Sequence, residues 1–188
     1  MRLGTVLAWM WGVFGVYWVG AALGAKRKSV SGEWGGLRVL RWSILAVTFI
    51  LLLTSWLRPG PLGWRFVPQH ALFRWLGVAM TIGGLLLCVW ARLSLGTYWS
   101  DKVVLKVNHQ LIQKGPYGRM RHPIYSGVLL AIAGTALAIG EWRGVVALLL
   151  LGTNYLVKAR REERILAAHF GEAFAKYKCR AGFLAPKW

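Results

Sequence analysis

The sequence reads as an all-α integral membrane protein of about five transmembrane helices, with a polar cytosolic loop and a C-terminal amphipathic helix. Three observations carry this. Of the 188 residues, 56% are hydrophobic and the mean hydropathy is +0.47, too apolar for a soluble domain that must cover its core with polar side chains. Uncharged runs recur at close to the roughly 20 helical residues needed to cross a hydrocarbon core of about 30 Å. Most of the 24 lysines and arginines fall in alternate inter-span segments, as orientation by positive charge requires.

Taken in order, residues 3–25 form the first span. It carries only Arg2 before it and Lys26, Arg27 and Lys28 after it, which describes a permanent anchor and not a removable signal peptide. Residues 40–57 form the second span, uncharged from Trp42 to the end of the run, and residues 75–91 the third. The run 124–157 is interrupted only by Gly140, Glu141, Trp142 and Arg143, so it divides into two short spans joined by a tight turn. Cys88 falls inside the third span and Cys179 in the basic C-terminal segment, so the pair implies no disulfide framework.

With five spans, the first loop, the third loop and the C-terminal segment share one side. They hold every lysine and arginine except Arg2, Arg58, Arg65, Arg74 and Arg143. The N-terminus is therefore expected outside, with the 99–122 loop and the C-terminal segment together in the cytosol. This distribution explains the net charge of +18 without a nucleic-acid partner. Trp56, Trp64, Trp75, Trp90 and Trp142 fall near span ends, which fits aromatic belts at the two interfaces. One structural domain is expected, organised as three anchor spans over residues 1–93 and a second part over 94–188 in which polar stretches and apolar spans alternate.

In that second part, Lys114-Gly115-Pro116-Tyr117-Gly118-Arg119-Met120-Arg121-His122-Pro123-Ile124-Tyr125-Ser126-Gly127 leads into an apolar run. Pro123 suits the first turn of a helix, where its missing N–H has no partner to lose. His122 then lies at the helix mouth, where free backbone donors and the positive dipole end favour an anion such as a ligand carboxylate. Interface-anchoring charge is the alternative for Arg119 and Arg121, although anchoring requires no Gly-Pro-Tyr or Arg-His-Pro.

A second constellation is Lys158-Ala159-Arg160-Arg161-Glu162-Glu163, on a helix expected to continue to about Tyr177. At about 100° per residue, Ile165, Leu166, His169, Phe170, Ala173, Phe174 and Tyr177 share one broad face with Glu162, and Glu163 lies at its edge. A carboxylate aimed into an apolar face needs a positive or hydrogen-bonding partner. The partner is either Arg121 or Lys158 in an internal ion pair, or a bound cation or ribose diol. Taken singly, His109 reads as a surface residue, Trp99 as a belt residue and Gly96 as a helix C-cap. His70 and His169 lack metal-ligand spacing, so no metal is assigned.

Leu95-Gly96 with Trp99-Ser100, His109-Gln110-Leu111-Ile112, Gly115-Pro116-Tyr117, Arg121-His122-Pro123-Ile124-Tyr125 with Gly127, Glu162-Glu163, Phe170-Gly171-Glu172, Tyr177 and Arg180 together resemble the membrane methyltransferases. That family includes isoprenylcysteine carboxyl methyltransferases and phosphatidylethanolamine N-methyltransferases, and the resemblance covers roughly residues 95–186. It implies S-adenosyl-L-methionine held by the loop and the C-terminal segment, and a lipid-like acceptor entering from the bilayer. It further implies that His109, Gln110, Leu111, Ile112, Gly115, Tyr117, His122, Pro123, Tyr125 and Glu162 contact the cofactor, with Lys158 and Trp99 toward the acceptor.

This sequence departs from the family's pattern at Lys102, where some members have Gln, at Lys158, where prenylcysteine enzymes have Arg, and at Phe174, where Tyr is common. Lys158 keeps the charge but loses the bidentate grip on a carboxylate. The sulfonium is already an activated methyl donor, so the residues expected around the reaction, Glu162, Glu163, His122 and Arg121, have orienting and electrostatic tasks. An amine acceptor would also have to lose a proton. The alternatives to a carboxyl methyltransferase are a phosphatidylethanolamine-type lipid N-methyltransferase, an NADPH-dependent membrane reductase with a similar C-terminal organisation, and a non-enzymatic scaffold.

Overall fold

The computed structural model describes residues 3–23, 35–54, 59–96 and 111–187. Among these the regular structure is helical: α1 (Leu3–Leu23), α2 (Gly35–Leu53), α3 (Ala71–Leu95), α4 (Pro123–Ile139), α5 (Trp142–Phe170) and α6 (Glu172–Arg180), with 3-10 turns at Pro61–Gly63 and Gly115–Gly118. The helices stand where the apolar runs place them. Leu3–Ala22 and Ala71–Leu95 are long and apolar enough to cross a membrane by length and composition, whereas Val39–Leu53 and Pro123–Ile139 are shorter apolar helices. Large apolar side chains such as Trp9, Val16, Trp42, Trp75, Leu86 and Leu149 face outward, as they do where lipid is the solvent.

The closest pairing is α3 against α4, and small residues make it possible. A Cβ added at Gly84 would lie 2.4 Å from the Gly127 carbonyl oxygen, and one at Gly77 would lie 2.5 Å from that of Gly134. Glycines seven residues apart on each helix thus bring the two backbones together at two levels. In a bundle without water to expel, such close approach is the main source of helix association. Between the two levels, Thr81 Oγ1 and Thr135 Oγ1 lie 3.2 Å apart, and Trp11 Nε1 donates to Thr135 Oγ1 at 3.0 Å, joining α1 to the pair.

Arginines close the helix ends. Arg143, next to Glu141 at 2.5 Å, donates to the carbonyls of Leu51 and Thr54 at the end of α2, and Arg65 donates to Ile139 O at the end of α4. At the opposite end of the bundle Arg92 donates to Ala21 O and Gly96 O, both at 2.7 Å, tying the last turn of α1 to that of α3. Gly96 is the C-cap of α3, as expected.

One expectation is corrected. The helix carrying Glu162 does not run on to Tyr177: it stops at Phe170, Gly171 takes φ 49° and ψ −121°, and α6 starts afresh. That backbone conformation is open to glycine at little cost. The break re-phases the buried face, so Phe174, Tyr177 and Ala181 form a small core with Leu111, Leu166 and Phe170, while His169 and Ala173 are exposed.

Candidate functional site

The site is built where the start of α4 meets the middle of α5. Pro123 occupies the first helical position and His122 the N-cap, with an imidazole that caps nothing in its own helix. The ring is therefore available to α5. His122 Nε2 lies 3.3 Å from Glu163 Oε1, and His122 Nδ1 lies 3.7 Å from Glu162 Oε2. One imidazole thus stands between two consecutive carboxylates.

Each glutamate has a further partner. Tyr125, in the first turn of α4, donates its hydroxyl to Glu162 Oε1 at 2.5 Å. Arg121 Nε donates to Glu163 Oε1 at 2.6 Å, and Lys178 Nζ of α6 stands 3.5 Å from Glu163 Oε2. The internal partner expected for Glu162 is therefore the neighbour's: Arg121 pairs with Glu163, and Glu162 meets a phenol and an imidazole. Glu162 is also the more open of the two, at 22% side-chain exposure against 12%.

Burial pushes the Glu163 carboxyl up, but the hydrogen bonds from His122 and Arg121 and the Arg121 charge outweigh it, and the group falls from the usual 4.5 to about 2. Glu163 is thus a fixed anion. Burial first, then the Glu162 charge, push the Tyr117 phenol well up, and burial pushes Tyr177 up to about 12. Both remain neutral. Tyr177 uses its hydroxyl to hold the Gly115–Gly118 turn, donating to Tyr117 O at 2.7 Å.

Aromatic rings line the approach from the helical core. His122 and Tyr125 stack nearly parallel, 5.4 Å apart at 6°, and Tyr125 stacks on Tyr155 of α5 at 4.7 Å and 16°. Lys158 Nζ lies 5.3 Å from the centre of the Tyr125 ring, within cation–π range. Tyr155, Lys158 and Glu162 occupy one face of α5 at spacings of three and four residues, as one helical stripe requires.

Of the residues singled out in the sequence, the structure brings together Arg121, His122, Tyr125, Lys158, Glu162 and Glu163, with Pro123 setting the helix start. Gly115 and Tyr117 form the 3-10 turn that packs on the end of α3, where a Cβ at Gly115 would meet Ser94 Oγ at 2.4 Å. Leu111 packs on the Phe174 and Tyr177 core, and Ile112 beside it is partly buried. Trp99, Lys102, His109 and Gln110 lie outside the described residues. Sequence reasoning passed over Tyr155, although its place on the Lys158 and Glu162 stripe was a usable signal. It also gave no role to Ser126 and did not single out Phe183, which no periodicity marks.

A model of the phospholipid methyltransferase family matches residues 72–173. The chain is 42% identical to the Bacillus subtilis (strain 168) protein YpbQ over 59 residues, which is 31% of this chain and 35% of that one. It is 35% identical to the cobalt-zinc-cadmium resistance protein CzcN of Cupriavidus metallidurans over 140 residues, 66% of this chain and 62% of the relative. The chain thus spans less than two thirds of the length of either relative. The solved structure of a eukaryotic intramembrane Ras methyltransferase, isoprenylcysteine carboxyl methyltransferase, superposes with a TM-score of 0.56 at 22% identity, covering 84% of this chain and 54% of that one. That likeness is one of fold.

Proposed function

This chain belongs to the phospholipid methyltransferase family, and from that premise we propose that it transfers a methyl group from S-adenosyl-L-methionine to a lipid-like acceptor within the membrane. The observation that carries the reading is the pair Glu162 and Glu163 held against the start of α4 by Tyr125, His122 and Arg121.

The donor set suits such a molecule. Glu162, the more exposed carboxylate, would accept from a ribose diol or an amino group. The start of α4 supplies the positive dipole end for a carboxylate. Leu111, Ile112, Gly115, Tyr117 and Pro123 would form the wall around it, with His109 and Gln110 from the preceding loop. The cofactor, when bound, supplies a methyl group that needs no further activation.

The chain's own residues then have three tasks. Glu163, held ionised by Arg121, fixes the His122 ring in one orientation, so Arg121 acts through Glu163 as a positioning residue. Tyr125 holds Glu162 in place through its short hydrogen bond, leaving the second oxygen of Glu162 toward His122. Lys158, with Trp99 from the loop, would meet the acceptor on the core side, where the Tyr125 and Tyr155 rings exclude water from the reacting atoms.

The Lys158 ammonium favours an acceptor bearing an anionic group, which supports the carboxyl methyltransferase reading. The family match supports a second reading, a phospholipid whose amine is methylated and whose phosphate would meet Lys158. Family membership lends nothing to the NADPH reductase. The five-span arrangement, with the N-terminus outside and this site on the cytosolic face, belongs to the same proposal.

Calorimetric titration of the detergent-purified protein with S-adenosylhomocysteine tests it. Saturable binding weakened in Glu162→Gln supports the reading, and absence of binding in folded protein, with NADPH bound instead, overturns it. Transfer of a labelled methyl group into prenylcysteine or into phosphatidylethanolamine separates the two acceptors.

A further inference from the structure

After α6 the chain doubles back over the Arg121–His122 corner. Gly182 N donates to Arg119 O at 2.9 Å, Arg121 N to Gly182 O at 2.8 Å, and His122 N to Phe183 O at 3.3 Å, around an isolated parallel bridge between Met120 and Gly182. Ser126 Oγ, in the first turn of α4, donates to Leu184 O at 2.6 Å, and Arg121 Nη1 donates to Ala181 O. Backbone donors at a helix start have no carbonyl from a preceding turn to meet. Residues 181–184 supply acceptors for those at Arg121 and His122.

The bend that makes this possible is tight, for a Cβ at Gly182 would stand 2.0 Å from Ala185 O. It delivers one side chain to the site. The Phe183 ring meets His122 edge to face, 5.1 Å between centres at 73°, and its own face lies 5.6 Å from Arg121 Cζ. His122 thereby meets both the parallel ring of Tyr125 and the crossed ring of Phe183. Its two nitrogens, which lie in the ring plane, are left facing Glu162 and Glu163.

We propose that Phe183 is a positioning residue for His122, setting the plane of the imidazole so that both ring nitrogens meet the two glutamates. The proposal rests on the reading of His122, Glu162 and Glu163 as the donor-binding corner. Rotation of the imidazole out of the Tyr125 plane would break both carboxylate contacts together, and the crossed Phe183 ring, in contact with the imidazole, resists that rotation. Aromatic geometry of this kind contributes beyond the area it buries.

The test is the nitrogen NMR of the full chain labelled with 15N-histidine in detergent, with His122 assigned by its loss in His122→Gln and the exposed His169 as internal reference. Phe183→Ala is expected to move the His122 ring signals toward those of His169 and to weaken S-adenosylhomocysteine binding by about tenfold or more. Phe183→Tyr, which keeps the ring, should restore both. Lys187→Ala, in the same segment, should leave both as in the native chain.

Phe183→Leu, which fills the space without a ring, should behave as Phe183→Ala does and replaces it if the smaller side chain fails to fold. Unchanged His122 signals in a folded Phe183→Ala or Phe183→Leu protein overturn the proposal, as does an equal displacement by Lys187→Ala. If the native chain binds no S-adenosylhomocysteine while its His122 signals still follow Phe183, the donor-binding reading falls and the positioning role stands.

Discussion

Arg121 Nε and Glu163 Oε1 stand 2.6 Å apart, with side chains only 10% and 12% exposed. Because Glu163 is held near 2 in the folded chain and returns to about 4.5 when unfolded, the sign of the linkage is set. A depressed carboxylate contributes stability that is complete above the unfolded value and is lost as pH falls through the folded one. The native protein should therefore hold its thermal midpoint down to about pH 4.5 and lose it progressively toward pH 2. Glu163→Gln should be less stable at pH 6, with the difference closing toward pH 2. Thermal unfolding in detergent across this range checks it, and a constant difference would refute it.

Tyr125 and Glu162 offer a separable contact. Tyr125→Phe keeps the rings between His122 and Tyr155 but removes the donor to Glu162 Oε1. A hydrogen bond to a charged group is worth about 1.5–3 kcal/mol of stability, so the variant should lose up to about that much, and S-adenosylhomocysteine affinity should fall because Glu162 is no longer held in place. Calorimetry gives the affinity and thermal unfolding the stability.

The crossing of α3 and α4 predicts opposite outcomes at adjacent glycines. Gly84→Ala would drive a methyl to within 2.4 Å of a backbone oxygen and 2.5 Å of a backbone nitrogen, whereas at Gly83 nothing lies within 4 Å. Gly84→Ala should cost about 1–3 kcal/mol through overpacking. Gly83→Ala should be neutral or stabilising by up to about 1 kcal/mol, since alanine restricts the unfolded chain. Unfolding of the two variants in mixed detergent measures both.

Trp11 and Thr135 hold α1 to the bundle through one buried hydrogen bond of 3.0 Å. A double-mutant cycle with Trp11→Phe and Thr135→Val should return a coupling of about 0.6 kcal/mol and no more than about 1.7 kcal/mol, the average and the maximum for hydrogen bonds between membrane helices. A coupling indistinguishable from zero would mean that Trp11 holds α1 to the bundle through its packing on Phe49 of α2 and not through this hydrogen bond.

What the sequence determined by itself is the part governed by local rules. Apolar runs long enough to fill helices located α1 to α5, Pro123 marked the start of α4 through its missing donor, and the motif residues singled out the His122 and Glu162 region as the candidate site. Which glutamate meets which partner is a different kind of fact. Glu162 and Glu163 are adjacent in sequence and point about 100° apart, so a small rotation of α5 would exchange their neighbours, and only the packing of α5 against α4 and α6 settles that Arg121 takes Glu163 and Tyr125 takes Glu162. The break at Gly171 and the return of residues 181–187 over His122 were likewise decided in three dimensions. Glycine permits the first without requiring it, and the second depends on acceptors reaching backbone donors some 60 residues away in sequence, a pairing that no helical or strand periodicity records.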